Sequence, residues 1–121
     1  MGENVLKEKS FVFAVRTVKL YKYLIAEQKE FVLSKQILRS GTSIGANIEE
    51  ANAGQSKKDF IAKLSISLKE ARETHYWLRL MYECDYLNLQ MYESLLHDCD
   101  EIISLLTVIL KTSRNNLNKA K

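Results

Sequence analysis

Apolar residues recur every three or four positions along most of the chain, which is the period of an amphipathic helix. The pattern predicts four helices, at residues 4–30, 34–53, 56–85 and 88–113. The connections between them are only a few residues long, and short connections favour antiparallel neighbours. The sequence therefore predicts an all-α protein, with residues 1–121 forming one domain that folds as an up-down-up-down antiparallel four-helix bundle.

The first predicted helix carries more apolar surface than one buried face requires. The row expected to face the core contains Phe11, Ala14, Val18, Tyr21 and Ile25. A second row, about 120° away at 100° per residue, contains Phe13, Leu20 and Leu24. The second row is explained either by a position between two neighbouring helices of the bundle, which is the commoner arrangement, or by contact with another subunit. The second explanation makes these three residues candidates for a protein interface.

Two of the chain's four glycines lie four residues apart inside the second predicted helix. An interior glycine costs a helix about 0.5–1 kcal/mol relative to alanine. Since residues four apart share a helix face, Gly41 and Gly45 predict the close approach of another backbone. The expected packing seam contains Gly41, Ile44, Gly45 and Ile48. Gly41 lies within this seam, and Gly45 at its edge is a candidate for contact with a second neighbour.

Polar residues indicate where three of the helices begin. Ser34 is the expected N-cap of the second helix, Ser56 with Asp59 forms a capping box for the third, and Asn88 precedes the fourth. The tail from Arg114 loses the apolar period and is expected to fray. The most regular row belongs to the third helix and contains Ile61, Leu64, Leu68, Ala71, His75, Leu78 and Tyr82.

The charge is mildly basic, with 18 basic and 15 acidic residues and an isoelectric point near 8.8. This balance permits a nucleic-acid partner without requiring one. The candidate nucleic-acid contacts are Arg16, Lys19, Lys22, Lys57, Lys58 and Lys63, although a solvated face is the commoner explanation. Tyr76 and Trp77, with Arg72 and Arg79 nearby, form a candidate protein interface because Trp, Tyr and Arg dominate interface hot spots.

The residue types that support catalysis do not fall into a site. Folding the chain back at Leu87 leaves Cys84 and Cys99 out of register by roughly 13 Å, at 1.5 Å per residue, so neither a shared metal nor a disulfide is expected. The Glu-x-x-His pairs of di-iron bundles are absent, and His75 on an apolar row is interpreted as a core residue. We therefore expect no catalytic residue, metal, cofactor or small-molecule substrate.

The chain also lacks the sequence features of membrane targeting. No apolar stretch approaches the roughly 18 residues of a membrane span. The start of the sequence does not have the basic region and apolar run of a signal peptide. We expect a cytoplasmic protein with no membrane partner.

Three segments of the sequence are distinctive in combination. They are SIGANIEEA at residues 43–51, KDF at 58–60 and LKEARETHYWL at 68–78. Together they resemble the four-helix-bundle family named after proteins encoded within intervening sequences of 23S ribosomal RNA genes, and the similarity extends from about Phe11 to Leu110. The resemblance implies a bacterial, cytoplasmic homopentamer of antiparallel bundles with no established enzymatic activity. Related accessory proteins of diversity-generating retroelements bind a reverse transcriptase and nucleic acid through a basic pentamer surface.

These observations lead to two functional hypotheses. The leading one is a non-catalytic, homo-oligomeric scaffold or adaptor, pentameric by resemblance, that associates with RNA or an RNA-handling protein. The alternative is a purely structural protein-protein interaction module without nucleic-acid binding. The mass in solution and the salt dependence of RNA binding distinguish the two.

Overall fold

Four helices account for most of residues 2–119, the part of the chain that the computed structural model describes. They are α1 (Gly2–Ala26), α2 (Leu33–Asn52), α3 (Lys57–Glu83) and α4 (Leu89–Lys119). α1 packs on α2 and α4, and α3 packs on the same two helices, so α1 and α3 occupy diagonal corners. The prediction of an all-α, up-down-up-down antiparallel bundle is confirmed.

Two helix ends differ from the prediction. α1 ends at Ala26 because Lys29 adopts a φ of 53°, which a right-handed helix cannot continue. The prediction that the tail frays from Arg114 was wrong, since α4 stays helical to Lys119. The Arg114 guanidinium donates a hydrogen bond to Ser65 Oγ at 2.9 Å, which ties this part of α4 to α3. Residues 120 and 121 of the predicted tail lie outside the described residues.

Two of the three predicted N-caps are confirmed. Ser56 Oγ accepts a hydrogen bond from the backbone N–H of Asp59 at 3.1 Å, which satisfies one free donor at the start of α3. Asn88 Oδ1 accepts from the N–H of Met91 at 2.8 Å at the start of α4. Both helices therefore begin where the sequence placed them.

The third predicted N-cap, Ser34, was wrong because Glu30 performs the capping. α2 begins at Leu33, so Ser34 already lies in its first turn. The Glu30 carboxylate accepts from the backbone N–H of Ser34 at 2.7 Å and from that of Val32 at 3.3 Å. Burial alone would raise the pKa of Glu30, but hydrogen bonds from backbone N–H groups of Leu33, Ser34 and Val32 hold it below its ordinary value. The capping group is thus a buried carboxylate that reaches back from the preceding loop.

The core-facing row of α1 was predicted incorrectly. Phe11 and Val18 of the expected row are exposed, whereas Phe13, Leu20 and Leu24 are almost fully buried inside the bundle. The last three side chains therefore belong to the chain's own core, and the prediction that they form an interface with another subunit was wrong. The buried row of α1 is Leu6, Ser10, Phe13, Thr17, Leu20 and Leu24. The spacing of this row is regular, but two of its members, Ser10 and Thr17, are polar. A search for apolar residues alone therefore does not detect it.

The glycines of α2 explain why small polar residues occupy that row. A Cβ added to Gly41 would lie 2.6 Å from Thr17 Cγ2, and a Cβ added to Gly45 would lie 3.3 Å from the carbonyl oxygen of Ser10. Both glycines therefore face α1 of the same chain. The prediction of a close backbone approach is confirmed, and the second neighbour expected at Gly45 is α1 itself. The predicted seam residues Gly41, Ile44, Gly45 and Ile48 are all buried.

The packing between α2 and α3 also uses small polar side chains. Ser67 donates a hydrogen bond across the interface to the carbonyl oxygen of Ile44 at 2.8 Å. The hydroxyls of Thr74 and Ser40 lie 2.8 Å apart in the core. Of the predicted row on α3, Leu64, Ala71 and Leu78 are buried, and the remaining members lie half-exposed at its edge: Ile61, Leu68, His75 and Tyr82.

Candidate functional site

An exposed apolar face runs along α1. Phe11 is 66% exposed and Val15 is 41% exposed, and Val5, Val12 and Val18 are also accessible to solvent. At 100° per residue this face is centred about 180° from the buried row, so it points directly away from the chain's own core. The sequence contained one signal for it, because Val12 and Val15 belong to neither of the two predicted rows.

The contact between α1 and α4 is open and is bridged by charges. A cavity of about 340 Å³ lies between the two helices, and its lining includes Val12, Lys9 and Glu101. Lys9 Nζ lies 3.4 Å from Glu101 Oε2. Arg16 lies 2.6 Å from Asp98 Oδ2. The two ion pairs span the groove between α1 and α4. These two helices lack the tight backbone contact that α1 makes with α2.

The predicted nucleic-acid contacts do not form one surface. Arg16 is paired with Asp98, and Lys63 Nζ lies 3.2 Å from Glu50 Oε1. The other four are exposed, with Lys19 and Lys22 on α1 and Lys57 and Lys58 at the start of α3, the diagonally opposite helix. Two of the six residues are therefore neutralised by carboxylates. The four exposed lysines lie in two groups on diagonally opposite helices.

Tyr76 and Trp77, the predicted protein anchor, have different environments. Trp77 is half-buried, and its indole N–H donates to Glu73 Oε2 at 3.1 Å. Glu73 also accepts from Arg39, whose guanidinium donates to Glu70 Oε2 at 2.8 Å. The pKa of Glu73 lies below its ordinary value because the hydrogen bond from Trp77, together with Arg39, outweighs the effect of burial. Trp77 therefore helps to brace α3 against α2, whereas Tyr76 remains 49% exposed.

The cysteines are separated as predicted from the register of α3 and α4. Cys84 is exposed and Cys99 is buried. The Cys99 thiol lies 3.4 Å from the carbonyl oxygen of Ala71. Burial, together with the nearby Asp100 and Asp98 carboxylates, raises the pKa of Cys99 to about 12. A thiol with this pKa does not act as a nucleophile near neutral pH.

One group of side chains within residues 2–119 has the spacing of metal ligands. It consists of His97, Asp98 and Glu101 on the surface of α4. The carboxylates of this group already face cations of α1, since Arg16 pairs with Asp98 and Lys9 with Glu101. The arrangement is accounted for by the charged bridge between α1 and α4.

Comparison with family models identifies the family of the chain. The family model described as the 23S rRNA-intervening sequence protein matches residues 3–108. The chain belongs to the 23S rRNA-intervening sequence protein family. The resemblance inferred from the three sequence segments is confirmed.

A solved structure of a similar protein has the same fold. It is a crystal structure of a protein of unknown function from the S23 ribosomal protein family of Bacteroides thetaiotaomicron, with 60% sequence identity to this chain and a TM-score of 0.90. The similarity covers 92% of this chain and 99% of that one. A search of curated proteins finds no match. The family therefore fixes the fold and leaves the function to be argued from the surface.

None of the four helices in the described part of the chain combines the length and the apolar character needed to cross a membrane.

Proposed function

We propose that this 23S rRNA-intervening sequence protein is a non-catalytic, homo-oligomeric scaffold or adaptor that associates with RNA or an RNA-handling protein. The observation that carries the proposal is the exposed apolar face of α1. The resemblance noted from the sequence implies five copies. The oligomer presents identical bundles to a partner, and no residue of the chain performs catalysis.

The apolar face of α1 is too continuous to be ordinary surface. Single exposed apolar residues are normal on a monomer, whereas a contiguous patch marks an interaction site. Phe11, Val15 and Val18 lie three and four residues apart, so they share one side of the helix, and Val12 adjoins them. Covering this surface with a partner removes apolar area from water, which favours association.

A second copy of the chain is the simplest partner for this face. A helix that is apolar on two opposite sides is stable in water when both sides are covered. The bundle covers one side of α1, and an identical bundle supplies a surface of matching size at the same cellular concentration. Symmetric assembly of identical chains is the common form of soluble oligomers.

Light scattering of the purified protein tests this proposal. We expect a mass five times that of the 14.0 kDa chain at micromolar concentration. A mass of one chain would contradict the homo-oligomer. Elemental analysis tests the non-catalytic part, since a stoichiometric bound metal would indicate chemistry that the proposal excludes.

The RNA part of the proposal has its own support and its own test. Exposed lysines such as Lys19 and Lys58 have no carboxylate within 4.0 Å among residues 2–119, and unpaired cations of this kind attract phosphate groups. Binding of RNA that weakens steeply with salt would support it. An oligomer that binds no RNA at low salt would favour the alternative of a protein-interaction module without nucleic-acid binding.

A further inference from the structure

A row of basic side chains runs along the solvent face of α3. Lys58, Lys69, Arg72 and Arg79 are all exposed. At 100° per residue they lie within about 80° of one another around the helix axis, and at 1.5 Å per residue the row is about 31 Å long. Arg114 of α4 reaches the same face, where it donates a hydrogen bond to Ser65 Oγ at 2.9 Å.

The cations of this row have no acidic partner. None of the four side chains on α3 lies within 4.0 Å of a carboxylate in the described part of the chain. By contrast, Lys7 lies 3.5 Å from Glu49, and Lys9 lies 3.4 Å from Glu101. Among residues 2–119, α3 carries five cations without a carboxylate within 4.0 Å, which are Lys57, Lys58, Lys69, Arg72 and Arg79, and no other helix carries more than three.

An exposed aromatic ring lies within the basic row. Tyr76 follows Arg72 by four residues and precedes Arg79 by three, so all three share one side of α3. The Arg79 guanidinium carbon lies 5.8 Å from the centre of the Tyr76 ring. The edge-on contact with Trp77, at 5.2 Å between ring centres, supports the ring from a second direction. An aromatic ring held among cations is the arrangement on which nucleic-acid bases stack.

We propose that this α3 row, formed by Lys58, Lys69, Arg72, Tyr76 and Arg79, binds single-stranded RNA. The cations contact consecutive phosphates and Tyr76 stacks on a base. The inference rests on the RNA part of the proposed function and adds the surface and the strand type.

The position of the row fits the proposed assembly. α1 and α3 occupy diagonal corners of the bundle, so the copy that covers the apolar face of α1 lies on the opposite side of the chain from the α3 row. An acidic protein segment would also satisfy the cations, but it would leave Tyr76 without a stacking partner. The aromatic ring therefore favours RNA over an acidic protein.

The experiment measures binding of a fluorescent 20-nucleotide oligouridine to the full-length chain by anisotropy, across a salt series. The variant Lys69→Gln/Arg72→Gln removes two charges from the row, and Lys29→Gln/Lys35→Gln, which removes two exposed charges at the start of α2 and in the loop before it, is the matched control. We expect the α3 variant to weaken binding at least tenfold at low salt. Its plot of log K against log salt should also become shallower by about 1.4, since each lost phosphate contact reduces the slope by about 0.7 for single strands.

A second pair of variants tests the stacking. Tyr76→Ala should weaken binding about tenfold, the loss expected from one base–aromatic stack, without changing the salt slope. Tyr76→Phe should bind as the wild type does. All five substituted side chains are exposed, so circular dichroism should give the wild-type helix signal for each variant.

The outcomes separate this inference from the proposal on which it rests. If the wild type binds no oligouridine at low salt, the RNA part of the proposed function fails together with the α3 surface, and the oligomer is still judged by its mass. If the wild type binds but the Lys29→Gln/Lys35→Gln control loses as much as the α3 variant, the RNA part stands and the α3 surface is overturned. If polyglutamate competes as well as unlabelled RNA and Tyr76→Ala binds normally, the row is a site for an acidic protein.

Discussion

The carbonyl oxygen of Ser10 in α1 lies 3.3 Å from the point where a Cβ on Gly45 of α2 would stand. One turn earlier in α2, a Cβ on Gly41 would lie 2.6 Å from Thr17 Cγ2. The two helices therefore approach at successive turns through residues with little or no side chain. This contact offsets the helix propensity lost at the two glycines.

The first prediction concerns Gly41 and its partner Thr17. Gly41→Ala would improve helix propensity, but its methyl group would overlap the buried Thr17 side chain, so we expect the free energy of unfolding to fall by about 1–3 kcal/mol. Urea denaturation of Gly41→Ala, Thr17→Ala and the double variant measures the coupling. The double variant should recover at least about 0.5 kcal/mol relative to the sum of the single changes. Additive effects would show that the two residues do not meet.

Gly45→Leu should destabilise the bundle by overpacking. The isobutyl group has no space against the backbone of Ser10, so we expect a loss of about 1–3 kcal/mol. Ala46→Leu is the matched control, because Ala46 lies on the exposed side of α2 and should change stability by less than about 0.5 kcal/mol. An unchanged or higher melting temperature for Gly45→Leu would contradict the close approach.

Glu30 should make stability depend on pH in the acid range. Its pKa is lower in the folded chain than its ordinary value of 4.5, so its contribution is present above that value and is lost as the pH falls through the folded pKa. Glu30→Gln should cost about 1–3 kcal/mol at pH 7, and the difference from wild type should shrink as the pH falls below 4.5.

The control for this effect is Glu27→Gln, since Glu27 is exposed in the same loop. Urea denaturation of both variants at pH 7 and pH 3 provides the comparison. A Glu30→Gln deficit of the same size at both pH values would show that the carboxylate charge does not cap α2.

The two cysteines should react at very different rates. Cys84 is exposed, whereas the thiol of Cys99 is buried and has a pKa of about 12. We expect one thiol per folded chain to react with a disulfide reagent at pH 8, and both to react in denaturant. Rapid reaction of both thiols in the folded protein would contradict the packing of Cys99 against α3.

The sequence predicted the seam of α2 correctly because Ile44 and Ile48 mark its buried side. It failed on α1, where the core positions opposite the glycines are Ser10 and Thr17 and the apolar residues Phe11 and Val18 point outward. Periodicity reports where apolar residues recur, but it does not distinguish a face covered by the same chain from a face left for another. The correct row of α1 could be found only once its contact with Gly41 and Gly45 was known.

The candidate surfaces were predictable in part. Tyr76, Arg72 and Arg79 were recognised together from their adjacency, and Lys58 from the lysines at the start of the third helix. Their alignment with Lys69 into one row of unpaired cations could not be inferred from the sequence. Which cations stay unpaired depends on ion pairs with neighbouring helices, such as those that neutralise Arg16 and Lys63. Charge pairing between helices is a property of the fold.

The central claim is that the apolar face of α1 is covered by a second copy of the chain. The most direct test compares the masses in solution of two variants, Val15→Glu and Val108→Glu. Both side chains are exposed, but Val15 lies in the α1 face and Val108, 64% exposed, lies on α4. We predict that Val108→Glu keeps the wild-type mass, five times the 14.0 kDa chain, while Val15→Glu has the mass of one chain with its helix content intact. A wild-type monomer, or a Val15→Glu variant that assembles as the wild type does, would contradict the account.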